Sequence, residues 1–330
     1  MNLDQKVLRD RIQALLAANS EPGALIEISS KGTPSISLNF GVQEVTASFP
    51  VYSIAKTILA ILALDLANQG ELNLDAEIGK YVQREIPDWL KKATLRHLLS
   101  HRSGIFDYGP FKSYHEAVRS RPDHTEGREH FVAKVFDKGP QFEAGSSFFY
   151  SNIGYMLIRE IIESKADTDL QTLFDSKIGT PLKIQMEFLR GPTNEIMSGF
   201  SPYLSKDCPD VKGFYDFSWV FHGTFRATLS DLTSLIENLE TLVGTSAFKE
   251  MISLHPLEFP HPTIHPSYGL GLMGDMGASF GPTYGHNGGG PGFSVAAYAS
   301  PEKDVTIAAV VNRDSSVEAE TLVFEALNLI

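Results

Sequence analysis

The sequence predicts an α+β fold, an α/β sandwich in which N- and C-terminal segments form one antiparallel sheet flanked by helices, with a mainly helical lobe inserted between them. Three observations predict this fold. Strand-like runs lie near both ends of the chain, the segment 71–222 consists largely of loops and short helices, and the apolar segment 54–68 precedes it. We expect residues 1–70 and 223–330 to form the sheet lobe and residues 71–222 to form the inserted lobe.

The N-terminal elements are predicted as a helix, a hairpin and a buried helix. Residues 1–20 mix charged and apolar side chains as an amphipathic helix does. The runs 24–30 and 35–39 are rich in Ile, Leu and Ser and flank a turn, which predicts two paired strands. The segment 54–68 is apolar nearly all round, and Gly70 follows it where a C-terminal cap would lie, so we expect this helix in the middle of the protein.

Two further helices are predicted in the middle of the chain. The segment 154–165 is the one convincing helix of the inserted lobe. A second helix begins at Thr228, because Thr228 and Asp231 match a capping box. Leu232 and the apolar residues that follow it form one stripe along that helix.

The C-terminal third returns to strand patterns. Residues 268–273, 293–299 and 305–311 are rich in strand-forming residues. The last two runs are joined by 300–304, a hairpin loop of ordinary length. A helix over 317–329 closes the chain. With the N-terminal hairpin, these strands would complete the antiparallel sheet.

Composition and charge exclude several classes of protein. The chain has 330 residues, 42% of them hydrophobic, which is enough for a large buried core. Its 28 Lys and Arg residues against 40 Asp and Glu residues give a net charge of -12. Because this charge repels phosphate backbones and anionic lipid, nucleic acid and membrane surfaces are not expected partners. The single cysteine, Cys208, can form no internal disulfide and is expected to be structural.

The sequence also predicts the cellular location of the protein. Its N-terminal residues carry charges where a secretory signal needs an apolar run. The most apolar stretch, 57–67, is only about half the length that spans a bilayer. We therefore expect a cytoplasmic protein with no membrane insertion, unless a leader has been removed.

The tetrad from Ser53 to Lys56 is the first candidate for chemistry. Residues three apart lie on one face of a helix, so the amine can reach the hydroxyl. Apolar surroundings lower the pKa of a lysine, and a neutral amine can then act as a base near pH 7. The tetrad alone is weak evidence, because Ser246 and Lys249 match it as well, and Ser53 could instead be a helix N-cap.

Tyr150 and Asn152 form a second candidate pair, just before the predicted helix 154–165. A phenol held beside a cation can lose or relay a proton. An amide can donate to a substrate carbonyl while it accepts from a lysine. The alternative interpretation is a turn with a packed tyrosine.

A glycine-rich run at 286–292, with the sequence HNGGGPG, is the third candidate. It follows a predicted strand at 282–285. Successive glycines leave backbone N–H groups uncovered, so that a substrate can lie along the strand edge as an oxyanion hole requires. The alternative is a flexible loop with a satisfied histidine.

The three motifs together are more specific than each alone. S-x-x-K at 53–56, Y-x-N at 150–152 and H-x-G at 286–288 follow one another with wide gaps. In this order they resemble the motifs of the serine β-lactamase and penicillin-binding-protein superfamily. The resemblance covers roughly residues 20–315 and includes a signature-like segment at 93–105. Within the superfamily the chain is most similar to class C β-lactamase-like serine hydrolases, a set that includes esterases, D-specific peptidases and amidases, DD-carboxypeptidases and some acyltransferases.

The resemblance implies a role for each matching residue. Ser53 would be the acylated nucleophile and Lys56 its base. Tyr150 would pass a proton to the leaving group and later activate water, while Asn152 would orient Lys56 and the substrate carbonyl. The backbone N–H groups of Ser53 and Gly289 would form the oxyanion hole.

The third motif implies substrate binding and departs from the β-lactamase pattern. His286 would act in catalysis, and Asn287, Gly288 and Gly290 would bind substrate. True class C β-lactamases usually carry Lys-Thr-Gly here, and an imidazole is a weaker anchor for a substrate carboxylate. Arg226 is a conceivable replacement anchor, although an exposed surface arginine is the simpler interpretation.

These observations lead to an expected function. We expect a serine hydrolase that acts through an acyl-enzyme on a small-molecule ester or peptide-like substrate, as an esterase or a D-amino-acid peptidase or amidase with weak or no β-lactamase activity. An acyltransferase using the same acyl-Ser53 intermediate and a non-catalytic binding module of the same fold stay open.

No organic cofactor and no metal are expected. His255, His261 and His265 are interleaved with prolines and have no carboxylate cluster beside them, so their spacing does not favour a metal site. His97 and His101, in the signature-like segment, are expected to hold their lobe together rather than to contact substrate. The sequence leaves the oligomeric state open.

Overall fold

A computed structural model describes residues 4–20, 22–42, 47–258, 265–314 and 316–330 of the chain. The strands are β1 (Ala24–Ser30), β2 (Thr33–Phe40), β3 (Phe49–Pro50), β4 (Glu187–Phe188), β5 (Phe225–Ala227), β6 (His255–Pro256), β7 (Pro266–Tyr268), β8 (Met273–Asp275), β9 (Thr283–Gly290), β10 (Phe293–Ser300) and β11 (Val305–Val311).

The helices are α1 (Gln5–Ala18), α2 (Ala55–Asn68), α3 (Asp88–Lys91), α4 (Leu95–Leu99), α5 (Lys112–Ser120), α6 (Arg128–Asp137), α7 (Asn152–Ala166), α8 (Leu170–Phe174), α9 (Thr180–Leu182), α10 (Leu229–Glu237), α11 (Leu239–Val243), α12 (Thr245–Met251) and α13 (Ala319–Leu329). Within the described ranges, none of them is long and apolar enough to cross a bilayer.

The larger sheet joins the two ends of the chain, as predicted. Its eight strands lie in the order β2-β1-β11-β10-β9-β8-β7-β6. The N-terminal β1 pairs with the C-terminal β11, with Ala24 opposite Val311, and neighbouring strands run antiparallel. The predicted fold class, an antiparallel sheet from both ends of the chain flanked by helices, is therefore confirmed.

The two faces of this sheet bury different side chains, because successive residues of a strand point to opposite sides. Ile26 and Ala296 belong to a core that also contains the apolar faces of α1 and α13. Leu25 and Val295 belong to the larger core, which includes α2, α7 and α10. The sheet thus lies between two helical layers, and the layer of α2 is the one that meets the inserted segment.

Helix α2 is buried on nearly every side, as its apolar sequence predicts. Its residues from Ala55 to Leu64 are all buried, Lys56 included. Gly70 follows with a φ of +77°, a left-handed conformation that glycine adopts without strain, and its N–H donates to the Ala67 carbonyl. The N-terminus of this helix is therefore fixed in the interior of the protein.

Other local predictions met mixed outcomes. The capping box of Thr228 and Asp231 is confirmed, with both reciprocal hydrogen bonds present at the start of α10. A single strand over 268–273 is wrong, because Gly271 has a φ of +70° and the Gly269 N–H donates to the Leu272 carbonyl at 2.9 Å, which separates β7 from β8 by a turn.

A smaller sheet, in the order β3-β5-β4, connects the inserted segment to the nucleophile region. Phe49 of β3 pairs with Ala227 of β5, and Phe188 of β4 pairs with Phe225. The inserted segment also carries helices α3 to α9. Because β3 lies just before Ser53, this sheet holds the turn that carries Ser53 against the chain around β5. The division into two lobes at residues 70 and 223 stays a prediction.

Candidate active site

Ser53 lies in a tight turn held from two directions. It is part of a short 3-10 helix that leads into α2, and the preceding residue, Tyr52, has a φ of +46°. The Tyr52 N–H donates to Thr224 Oγ1 at 2.8 Å, and the Tyr52 hydroxyl donates to the Pro291 carbonyl at 2.6 Å. A non-glycine residue in the left-handed region is strained and persists only where its surroundings hold it, so this turn fixes Ser53 in place.

Lys56 occupies the centre of the site. Its Nζ lies 2.9 Å from Ser53 Oγ, 2.8 Å from Asn152 Oδ1 and 3.1 Å from His222 Nε2. The side chain is completely buried. Burial holds the pKa of Lys56 well below its usual range, and the nearby charge of Asp107 opposes that shift only in part. The site therefore favours a neutral amine, the form that can accept a proton from Ser53.

Asp107 orients the amide of Asn152. The backbone N–H of Asn152 donates to one carboxylate oxygen of Asp107 at 2.8 Å, and Nδ2 donates to the other at 2.9 Å. With Nδ2 committed to Asp107, the amide oxygen must face Lys56. Burial raises the pKa of Asp107, against the hydrogen bonds from Asn152 and Gly109.

Tyr150 lies over the lysine amine. Lys56 Nζ is 4.8 Å from the centroid of the Tyr150 ring. Burial raises the pKa of Tyr150, while a hydrogen bond with Ser53 opposes the shift, so the phenol keeps its proton in this state. His101, expected only to hold its lobe together, packs its ring 4.2 Å from that of Tyr150, and its Nδ1 accepts from the Ser151 N–H.

The side chain of His286 lies in the protein interior. The side chain is completely buried, and its Nε2 lies 3.2 Å from the Tyr268 hydroxyl. Burial lowers the pKa of His286 to about 3. The ring is therefore neutral and offers no cation to a substrate carboxylate. Its backbone, with the glycines that follow, belongs to β9 rather than to a loop after the strand.

The glycine run brings the edge of β9 against Ser53. A Cβ on Gly288 would lie 2.4 Å from the Val51 carbonyl oxygen and 2.8 Å from the Ser53 nitrogen. A Cβ on Gly290 would lie 2.3 Å from the Tyr52 ring, whereas one on Gly289 would meet nothing closer than 3.9 Å. Close approach thus requires glycine at positions 288 and 290.

This edge is open to a ligand. Strand β8 pairs with β9 only at residues 283–285, so within the described chain residues 286–290 have no strand partner on the side away from β10. An extended substrate could therefore pair with backbone groups beside Ser53. Asn287 points to the opposite face, where its Nδ2 donates to Glu320 at 3.1 Å.

A cavity of about 470 Å³ opens in front of these groups, within the usual size range of small-molecule sites. Ser53, Tyr150, Asn152, His222 and Gly289 all line it. Much of its remaining wall is aromatic and is formed by Tyr52, Tyr108, Tyr114, Tyr203, Tyr215 and Trp219. The cavity therefore combines a reactive floor with apolar walls.

Several predicted candidates lie elsewhere. Ser246 and Lys249 are exposed on α12. Arg226 forms ion pairs with Glu187 and Glu195 and does not line the cavity, which agrees with a surface role. His97 belongs to the capping box of α4.

No group of three or more potential metal ligands occurs among the residues that the structure covers. His255 and His265 fall in those ranges, while His261 lies outside the described residues. Cys208 is partly buried and has no bonded partner sulfur.

Two site residues were not predicted from the sequence: Asp107 and His222. Each contacts a motif residue that is distant along the chain, Asp107 with Asn152 and His222 with Lys56. Asp107 lies two residues after the signature-like segment 93–105, which is the only signal that could have indicated it. No local pattern around His222 indicates its contact.

Two known proteins resemble this chain over nearly its whole length. The chain is 22% identical over 335 residues to a D-aminopeptidase of Cereibacter sphaeroides, covering 97% of this chain and 62% of the relative, so it spans about three fifths of that protein. It resembles the crystal structure of a D-stereospecific amidohydrolase from Streptomyces sp. with a TM-score of 0.84, 25% identity and 97% coverage of both chains.

A second solved structure supports the same fold. The octameric penicillin-binding protein homologue from Pyrococcus abyssi superposes with a TM-score of 0.82 at 23% identity, covering 99% of this chain and 77% of the homologue. The family model described as Beta-lactamase matches residues 8–329, nearly the whole chain. The chain therefore belongs to the Beta-lactamase family.

Proposed function

We propose that the chain is a serine hydrolase that cleaves amides or short peptides of D-amino acids through an acyl-enzyme on Ser53. The observation that carries the proposal is the hydrogen-bonded cluster of Ser53 Oγ, Lys56 Nζ and Asn152 Oδ1 at the floor of the cavity. Nucleophile, base and orienting amide are the parts that covalent catalysis by a serine requires.

In the first half of the reaction, Ser53 Oγ attacks the substrate carbonyl carbon and its proton passes to Lys56 Nζ. The carbonyl oxygen becomes an oxyanion, which the backbone N–H groups of Ser53 and Gly289 would stabilise. The C–N bond then breaks, and Tyr150 delivers a proton to the departing nitrogen. Lys56 gives its extra proton to the Tyr150 oxygen, so that both groups regain their starting forms. An amine leaves, and the acyl group stays on Ser53 as an ester.

In the second half, water replaces the amine. The water gives a proton to Lys56, either directly or through the Tyr150 hydroxyl, which passes its own proton to Lys56 as it accepts that of the water. The water oxygen attacks the ester carbonyl at the same time, and a second oxyanion forms in the same place. The bond to Ser53 Oγ breaks, and Oγ recovers a proton from Lys56. The products are a carboxylic acid and the starting enzyme, so no cofactor is consumed.

The charges around the cavity support an amine-bearing substrate. Among the described residues, Asp314 and Glu318 line it together with one guanidinium, that of Arg313. Two carboxylates against one cation favour a substrate with a free ammonium group over one with a carboxylate. A neutral His286 in place of a lysine weakens carboxylate binding further, which argues against efficient β-lactamase activity.

The relatives support the same substrate class. A D-aminopeptidase and a D-stereospecific amidohydrolase are among the proteins that this chain resembles. An acyltransferase that delivers the acyl group to an alcohol or amine is the second candidate, because the same acyl-Ser53 ester would serve it. An added amine nucleophile would then become part of the product. The cytoplasmic location expected from the sequence stays a prediction.

Hydrolysis of paired amides tests the proposal. Wild-type enzyme and Ser53→Ala are incubated with D-phenylalanine amide and with its L-enantiomer, and ammonia release is followed. We expect wild-type turnover of the D-amide at least about tenfold faster than the L-amide and none by Ser53→Ala. Equal rates for both enantiomers would contradict the D-specificity, and full activity in Ser53→Ala would contradict the acyl-enzyme.

A further inference from the structure

We propose that His222 is a positioning residue that accepts a hydrogen bond from Lys56 and thereby keeps the lysine lone pair directed at the Ser53 hydroxyl. The inference rests on the proposed acyl-enzyme function. It adds a fourth polar group to the cluster of Ser53, Lys56 and Asn152 at the floor of the cavity. His222 is 2% exposed, lines the cavity and lies with Nε2 3.1 Å from Lys56 Nζ.

His222 acts through Lys56 rather than on the nucleophile. In the described part of the chain its ring makes no hydrogen bond to Ser53, whose Oγ is instead 2.9 Å from Lys56 Nζ. A direct role as base for Ser53 is therefore not supported. The contact that His222 does make is with the group that takes the proton.

The valence of a neutral amine explains why this contact matters. An amine carries two N–H bonds and one lone pair, and Lys56 Nζ has three polar neighbours. Asn152 Oδ1 can only accept, so it takes one N–H. If His222 Nε2 takes the other, the lone pair must face Ser53 Oγ. Without His222 the second N–H can turn toward Ser53, and the lone pair is lost to catalysis.

The surroundings of the imidazole favour the accepting form. Burial holds the pKa of His222 well below its usual range, so the ring is neutral. Its other nitrogen, Nδ1, is buried and has no well-aligned hydrogen-bond partner among the described residues, and the nearby Tyr52 backbone favours a proton on the ring. A proton on Nδ1 leaves Nε2 free to accept from Lys56.

The fold fastens His222 to the turn that carries Ser53. The Val51 N–H donates to the Phe225 carbonyl at 2.8 Å, and the Tyr52 N–H donates to Thr224 Oγ1 at 2.8 Å. Gly223, directly after His222, has a φ of +93°, and a Cβ there would lie 2.4 Å from the Phe188 ring. The backbone before Ser53 and the backbone after His222 are thus held at a fixed distance from each other.

The same contact serves the state after proton transfer. Lys56 is then an ammonium with three N–H bonds, and Asn152 Oδ1, His222 Nε2 and the oxygen of Ser53 can each accept one. Hydrogen bonds to charged groups are stronger than neutral ones. His222 therefore stabilises the protonated base more than the neutral one, and its removal should lower the pKa of Lys56 further.

The test measures the rate at which Ser53 reacts with a fluorophosphonate, which needs no knowledge of the natural substrate. Ser53 Oγ bonds to phosphorus, fluoride leaves, and the serine proton passes to Lys56. The variants are His222→Met, which removes the acceptor, and His222→Gln, whose amide oxygen can occupy the place of Nε2. His130→Met, on the exposed side of α6, is the control, and thermal unfolding checks that each variant is folded.

We expect the second-order rate constant of His222→Met to fall about 10- to 100-fold, as loss of a hydrogen bond to a charged group implies. His222→Gln should stay within about fivefold of wild type, and the control should be unchanged. Wild-type reactivity in a folded His222→Met would overturn the proposal. So would equal losses in the Met and Gln variants, because the effect would then be one of shape.

The pH profile separates positioning from a general structural effect. In His222→Met the acid limb of the rate should move to lower pH, since the ammonium loses an acceptor. The ionisable groups that face Lys56 and share this limb are Asp107, Tyr150, Tyr155, His101, His222 and His286. An unmoved limb would contradict the proposal. Failure of wild-type Ser53 to react at all would instead overturn the acyl-enzyme function on which it rests.

Discussion

Two of the three S-x-x-K tetrads in the chain, 53–56 and 246–249, have the same spacing and different surroundings. Ser53 and Lys56 begin a buried helix, and the lysine amine reaches the serine oxygen at 2.9 Å. Ser246 and Lys249 lie exposed on α12, and no hydrogen bond joins them in the described part of the chain. The comparison teaches that the spacing only permits contact, whereas the groups brought from elsewhere create the site.

Those groups come from three separate segments. Asn152 and Tyr150 arrive from the start of α7, His222 from the chain before β5, and Gly289 from β9. They exclude water from Lys56, and that exclusion lowers its pKa. The tetrad on α12 has no such cover.

The largest expected effect comes from replacing the lysine of each tetrad by methionine. Lys56→Met should lower kcat/KM by at least about 10³-fold, because nucleophile and base act as a unit. Lys249→Met is the matched control and should leave kcat/KM unchanged. Steady-state kinetics on a D-amino-acid amide measure both. Similar losses in the two variants would show that burial does not distinguish the tetrads.

A second pair of variants tests the close approach of the β9 backbone to Ser53. Gly288→Ala puts a methyl group 2.4 Å from the Val51 carbonyl oxygen and pushes the strand edge away from Ser53. Small displacements of reacting groups are costly, and we expect kcat/KM to fall about 100-fold. Gly289→Ala keeps its N–H and meets nothing closer than 3.9 Å, so it should retain most activity. A greater loss for Gly289→Ala than for Gly288→Ala would contradict this geometry.

Asp107→Asn examines the support behind the buried tetrad. An asparagine cannot accept with both side-chain groups, so the amide of Asn152 should turn its NH₂ toward Lys56. We expect kcat/KM to fall about tenfold to a hundredfold, with a smaller change in thermal stability. Asp88→Asn, at an exposed position, is the control. Full activity in Asp107→Asn would contradict the role of Asp107 in orienting the Asn152 amide.

The smallest effect expected is a pH dependence. Because burial lowers the pKa of Lys56, the neutral amine should already form below the usual lysine value near 10.4, and kcat/KM should rise with pH as that proton leaves. The apparent pKa belongs to the coupled set of Lys56 and Tyr150. A profile measured between about pH 5 and 9 that stays flat would contradict a lysine base.

Features set by neighbouring residues could be predicted from the sequence. The cap at Thr228 and the buried helix after Ser53 depend on residues within a few positions of each other. The turn at Gly271 was missed, because its apolar neighbours match a strand and only the left-handed glycine divides them.

Features set by distant residues could not be predicted. His222 and Lys56 are 166 positions apart, and nothing in the local sequence links them. His286 matched a motif and still gave no sign that burial would hold its pKa near 3, because that depends on packing against Tyr268. The resemblance to a family supplied roles for motif residues, and the structure was needed to find their partners.

The most direct test of the central claim is the mass of the intact protein after incubation with a fluorophosphonate. Wild type, Ser53→Ala and Ser246→Ala are compared under the same conditions, with folding checked by circular dichroism. The account predicts one adduct on wild type and on Ser246→Ala and none on Ser53→Ala. An adduct that persists in Ser53→Ala, or that disappears in Ser246→Ala, would contradict it.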